Sequence, residues 1–125
     1  MSNPLLVGVD VHRQTNTVCL MDQAGDLLGP RRIIDNNRVG AGVLVQQLAQ
    51  QMAQGDFDTI QIAAEATGYY WWHFFQTLSR DPTLQSWPLQ LYPLNPRLTA
   101  NFAKTYVDRD HTDLNDAFVI ADRLR

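Results

Sequence analysis

Two short apolar runs, Leu5 to Val9 and Thr59 to Ala64, each lead directly into an acid, Asp10 and Glu65. The first, apolar throughout rather than at alternate positions, reads as a strand covered on both faces. Carboxylates closing two such strands constrain the fold strongly. Ligands of sheets flanked by helices collect just beyond the carboxyl ends of the strands, so both acids fall where a site would form. A chain of 125 residues has room for one core of this kind and none for a second domain.

The remaining segments fill in such a sheet. Thr15 to Met21 is rich in β-formers, Asp22 to Asp26 carries turn chemistry around Gly25, and Leu27 to Ile34 reads as a returning strand interrupted by Gly29-Pro30. These give a three-stranded antiparallel meander. Asn36 or Asn37 caps a helix whose apolar positions are Val39, Val43, Leu44, Leu48 and Met52, with Gly55 as the stop. After Glu65, Thr67-Gly68 leads into an aromatic helix from about Tyr69 to Ser79. Leu89 to Tyr92 is a further strand ended by Pro93, and Asn95-Pro96 opens a helix running to about Thr105. Thr112 caps a last helix with Leu114, Ala117, Phe118, Ala121 and Leu124 on one face, and Asp113, Asp116 and Arg123 elsewhere. This order predicts an α/β fold with a mixed five-stranded sheet and helices on both faces, the ribonuclease H-like (RuvC-like) arrangement.

Asp113 and Asp116 are three apart and share a helix face, with Cβ atoms about 5–6 Å apart. Brought to the strand-end acids, they would make a set of four carboxylates. Four such groups repel unless cations neutralise them, and hard divalent ions such as Mg²⁺ or Mn²⁺ prefer these oxygens. Two ions so held stabilise the attacking and leaving oxygens of phosphodiester cleavage. Each acid alone has a structural alternative: a turn or cap for Asp10, an ion pair for Glu65, and the helix macrodipole for Asp113 and Asp116. Only the set of four points to phosphoryl transfer.

At these residues the sequence resembles the DEDD transposases of the IS110 family, which includes the Piv-type DNA invertases. The pieces are Gly8-Val9-Asp10-Val11-His12, Glu65-Ala66-Thr67-Gly68-Tyr69, Asn95-Pro96 and Thr112-Asp113-Leu114-Asn115-Asp116-Ala117, in the family's order and spacing. The resemblance implies catalytic or metal-ligand roles for Asp10, Glu65, Asp113 and Asp116. It further implies a DNA substrate, homo-oligomers, guidance by a structured RNA, and a separate C-terminal domain bearing a serine nucleophile. The family's lysine before the Thr-Asp pair is His111 here.

The formal charge of −3 argues against a nucleic-acid partner at first sight, yet setting four acids aside as ligands leaves nine against ten Lys and Arg. Arg97, Lys104, Arg109 and His111 are the candidate phosphate contacts, with Arg123 and Arg125 beyond them. Six aromatics between Tyr69 and Phe75 exceed what one helix face buries, so they serve the core together with an interface or base stacking. His12 and His73 lack the spacing of a zinc set and read as residues that support a site's ligands or lie on the surface, and Cys19 has no partner cysteine. Without a signal peptide or a long apolar run, a cytoplasmic protein with no membrane partner is expected.

Three other functions compete. A stand-alone junction-resolving nuclease would use the same acids, but a periodic segment ending at Arg125 without a cap suggests a fragment of a longer protein. A catalytically silent binding or assembly module would use them as caps. An actin-like ATPase or sugar kinase needs glycine after the first Asp to cradle phosphate, and Val11-His12-Arg13 supplies none.

Overall fold

The computed structural model describes residues 2–66, 68–95, 97 and 116–125. Strands β1 (Pro4–Val11), β2 (Thr15–Met21) and β3 (Arg32–Asp35) are followed by helix α1 (Arg38–Gln54), strand β4 (Thr59–Glu65), helix α2 (Tyr70–Ser79), a single 3-10 turn at Leu84–Ser86, strand β5 (Leu89–Leu94) and helix α3 (Asp116–Arg123). The sheet order is β3-β2-β1-β4-β5. β2 pairs antiparallel with β1 and β3, while β4 lies parallel to β1 and β5 parallel to β4. This is the mixed five-stranded α/β sheet of the ribonuclease H-like class.

Strand alternation divides the core between two faces. Leu5, Val7 and Val9 of β1 and Ile60, Ile62 and Ala64 of β4 pack with Leu44 and Leu48 of α1 and with Phe74, Phe75 and Leu78 of α2. On the other face Leu6, Cys19 and Met21 pack with Ala117 and Ala121 of α3. Each fully buried Leu or Ile contributes about 1.5–3 kcal/mol from burial alone, so both faces hold the sheet.

Four local expectations need correction. The returning strand is not Leu27 to Ile34: Leu27 makes an isolated bridge to Met21, Gly29 turns the chain at φ 86°, and regular pairing begins only at Arg32. The helical stripe of α1 is rotated from the one expected, since Gly40, Ala41 and Val45 are buried while Val39 and Val43 are exposed. A Cβ at Gly40 would collide with the Asp35 carbonyl, so small residues carry this close approach. Pro93 does not end β5 but lies within it, which an edge strand tolerates. The acid Asp10 stands one residue inside the end of β1, because pairing continues to Val11.

The N-cap of α1 is Asn37, whose Oδ1 accepts a 2.8 Å hydrogen bond from the Gly40 N–H. Asn95 Oδ1 accepts from the Arg97 N–H at 2.9 Å, as a cap would. The expected helix from there to Thr105, and the Thr112 cap, lie outside the described residues.

Candidate functional site

The register of β1 and β4 brings the first two acids together. Val9 is the partner of Ala64, so Asp10 and Glu65 are the next residues on neighbouring parallel strands, about 4.8 Å apart across the ladder. Val9 and Ala64 face the core under α1 and α2, so the two acids, one residue on, project toward the opposite face. That is the face α3 covers.

Gly8 sets how closely α3 lies there. A Cβ at Gly8 would run into the Ala117 carbonyl and the Ala121 N–H, so the helix backbone rests directly on the strand. Asp116, the first residue of α3, is thereby carried to the sheet edge holding Asp10 and Glu65.

Electrostatics report the same convergence. The Glu65 carboxyl is pushed above its usual range by burial first, then by the charges of Asp116 and Asp10, with His12 partly offsetting them. The Asp116 carboxyl is raised by burial and by Asp10, again offset by His12. Three elements far apart in sequence therefore contribute acids that feel one another.

Of the two histidines read as supporting or surface residues, His12 touches an acid of the site. Its Nε2 lies 2.9 Å from Asp10 Oδ2, and since a carboxylate only accepts, the ring N–H donates. The turn carrying it is braced: the Asn36 side-chain amide donates to the His12 carbonyl at 2.7 Å, and the buried Asn16 donates to Asn36 Oδ1 at 3.2 Å. The available signal was the i, i+2 spacing to Asp10 on a strand that continues past the acid.

Of the other expected residues, Arg97 is exposed, while Lys104, Arg109, His111 and Asp113 lie outside the described residues. Cys19 is buried under α3, and burial pushes its thiol up to about 11, which removes it as a nucleophile.

Carboxylate oxygens, close enough for Asp10 to raise the proton affinity of Glu65 and Asp116, fit a hard divalent cation in chemistry. In arrangement they remain open, for among the described residues no three His, Cys, Asp or Glu side chains stand together as a metal-holding group. Closure around a cation would require Asp10 to exchange its His12 contact.

The raised carboxyls predict a pH dependence. A carboxyl whose folded pKa exceeds its unfolded one favours the fold while protonated, and that advantage disappears as pH rises through the raised value. Metal-free Glu65→Gln is therefore expected to melt higher than the parent at neutral pH and together with it below the ordinary carboxylate range. Melting curves across pH check this; a Glu65→Gln protein less stable at neutral pH would contradict it.

A sequence model of a family described as Transposase matches residues 7–125, nearly the whole chain. No curated protein matches the chain. Among the described residues no helix is long and apolar enough to cross a membrane.

Proposed function

This chain belongs to the IS110 family of DEDD transposases, a family that processes DNA, and on that premise we propose that Asp10, Glu65 and Asp116, joined by Asp113, form its divalent-cation site for phosphoryl transfer. The support is that, beyond burial, the charge of Asp10 on β1 raises the carboxyls of Glu65 on β4 and Asp116 on α3, and that of Asp116 raises Glu65, at the edge where parallel strands end. Repulsion of that kind is what a bound cation relieves.

In this reading Asp10 and Glu65 present oxygens from the rigid sheet, and Asp116 presents one from the helix pinned at Gly8. His12 orients the Asp10 carboxylate before the cation arrives. A bound Mg²⁺ or Mn²⁺ would withdraw charge from the scissile phosphate and from the attacking oxygen. Arg97, Lys104, Arg109 and His111 would steady the phosphates on either side. The family resemblance extends the proposal to a cytoplasmic homo-oligomer guided by a structured RNA, in which a C-terminal domain supplies the serine nucleophile.

Thermal melting of the chain with added metal tests the reading. Ligand at about 100 times its dissociation constant stabilises by about 2.7 kcal/mol, a rise in Tm on the order of 10 °C for a domain of this size. The expected result is such a rise with Mg²⁺ or Mn²⁺, lost in the Asp10→Asn, Glu65→Gln double variant. Melting unchanged by metal would favour a silent binding module, and stabilisation by ATP would favour a kinase.

A further inference from the structure

We propose that the outer face of α2 and the first turn of α1 seat an unpaired DNA strand, with Trp72 stacking on a base and Arg38 and Arg80 meeting phosphates. The inference rests on the DNA-processing function of the chain and needs no bound metal.

Helix α2 has two distinct faces. Phe74, Phe75 and Leu78 enter the core, and Trp71 is fixed by its indole N–H donating to the Gly68 carbonyl at 3.0 Å and by edge contact with Phe75. Tyr69, Trp72, Gln76 and Arg80 follow at helical spacing on the opposite side. Trp72 keeps 48% of its surface exposed and Tyr69 82%. Leaving a large indole in water has no benefit to folding, whereas a flat exposed ring is what a base stacks on.

Beside Trp72 lies a groove of about 420 Å³, lined by Arg38, His73, Gln76, Arg80 and Asp81 among others. That volume falls within the range of sites taking small organic groups. Among the described residues neither arginine forms an ion pair. The Asp81 carboxylate is turned to its own loop, where Oδ1 accepts from the Thr83 and Leu84 N–H groups at 2.8 and 3.4 Å. Free cationic side chains flanking an open aromatic ring are complementary to a polyanion whose bases are exposed. A duplex hides its base faces in the stack, so it does not fit.

Topology connects this groove to the acids. β3 runs parallel to β1 through two antiparallel pairings, so α1 begins at the same sheet edge where Asp10 stands. α2 begins at that edge as well, just after Glu65, with Tyr69 and Tyr70 exposed at the turn. From Tyr69 to Arg80 the helix spans roughly 16 Å, the length of four or five stacked nucleotides at about 3.4 Å each. A DNA strand leaving the acids over this edge would run along the aromatic face, which makes DNA the occupant.

The test is binding of a labelled oligothymidylate by the chain in EDTA, followed by fluorescence anisotropy. Trp72→Ala is expected to weaken binding about tenfold, with Trp72→Phe retaining most of it. Arg38→Ala and Arg80→Ala are each expected to flatten the dependence of log K on log salt by about 0.7. Binding is expected to persist in the Asp10→Asn, Glu65→Gln double variant, so failure of the metal site would leave this result standing. Equal affinity of Trp72→Ala and parent, absence of binding, or preference for duplex DNA or oligouridylate over oligothymidylate would each overturn the proposal. Trp72 lies outside the core, so matched melting curves for the variants show that lost affinity is not lost fold.

Discussion

Asp10→Asn is expected to lower the rate of DNA strand cleavage by the transposase by about 10³-fold or more, with Glu65→Gln and Asp116→Asn close behind. The amides keep the shape of each side chain and remove its charge. A cation held by fewer charges is bound more weakly and positioned less firmly, and both losses fall on the transition state. Stability is expected to move the opposite way, because each substitution relieves repulsion that burial makes costly at Glu65 and Asp116. Asp58→Asn provides the control. Asp58 sits just before β4, at the far end of the sheet, accepting the Asn3 N–H at 3.0 Å. Its substitution is expected to leave cleavage unchanged. Rates measured with the purified protein decide the matter; parental cleavage by Asp10→Asn would remove the acids from the chemistry.

Gly8→Val is expected to destabilise the domain by about 3 kcal/mol, lowering Tm on the order of 10 °C. The added side chain would occupy the space of the Ala117 carbonyl and the Ala121 N–H, so α3 must lift from β1. Lifting exposes part of the apolar cluster formed by Leu6, Cys19, Met21, Ala117 and Ala121. It also moves Asp116 away from Asp10 and Glu65, so stabilisation by Mg²⁺ is expected to shrink although every carboxylate remains. Gly42→Ala is the matched comparison, since a Cβ there meets nothing within 4 Å. In an exposed helix interior that change is expected to stabilise by about 0.5–1 kcal/mol. Calorimetric melting of both variants checks the pair, and an unaltered Tm for Gly8→Val would refute the close packing of α3.

Strand-end acids and the mixed sheet were legible because burial on both faces writes itself as a continuous apolar run in β1, and β4, although Thr59 and Gln61 interrupt it, still runs apolar into its acid. The cap at Asn37 was legible for a local reason, a short side chain reaching the N–H three residues on. Where backbone approaches backbone, the sequence pattern misled. Hydrophobic periodicity put Val39 and Val43 inward, yet Gly40 and Ala41 face the core because α1 crosses the end of β3 too closely for larger residues. Gly8 is the same effect at the site itself: spacing could pair Asp113 with Asp116 but could not tell which face of the sheet the helix beginning at Asp116 covers. The His12 contact with Asp10 was hidden for a different reason, since it depends on β1 continuing one residue beyond the acid and on the Asn16 and Asn36 amides fixing the turn.

Manganese titration followed by amide NMR tests the central claim most directly, because a paramagnetic ion broadens only the resonances near it. Acids from the sheet and from the last helix sharing one ion predict simultaneous broadening at Asp10 and Val11, at Glu65 and Ala66, and at Asp116 and Ala117, while Asp58 and its neighbours stay sharp. Broadening confined to the two strands with α3 untouched, or centred on the Asp22 to Asp26 turn, would contradict it.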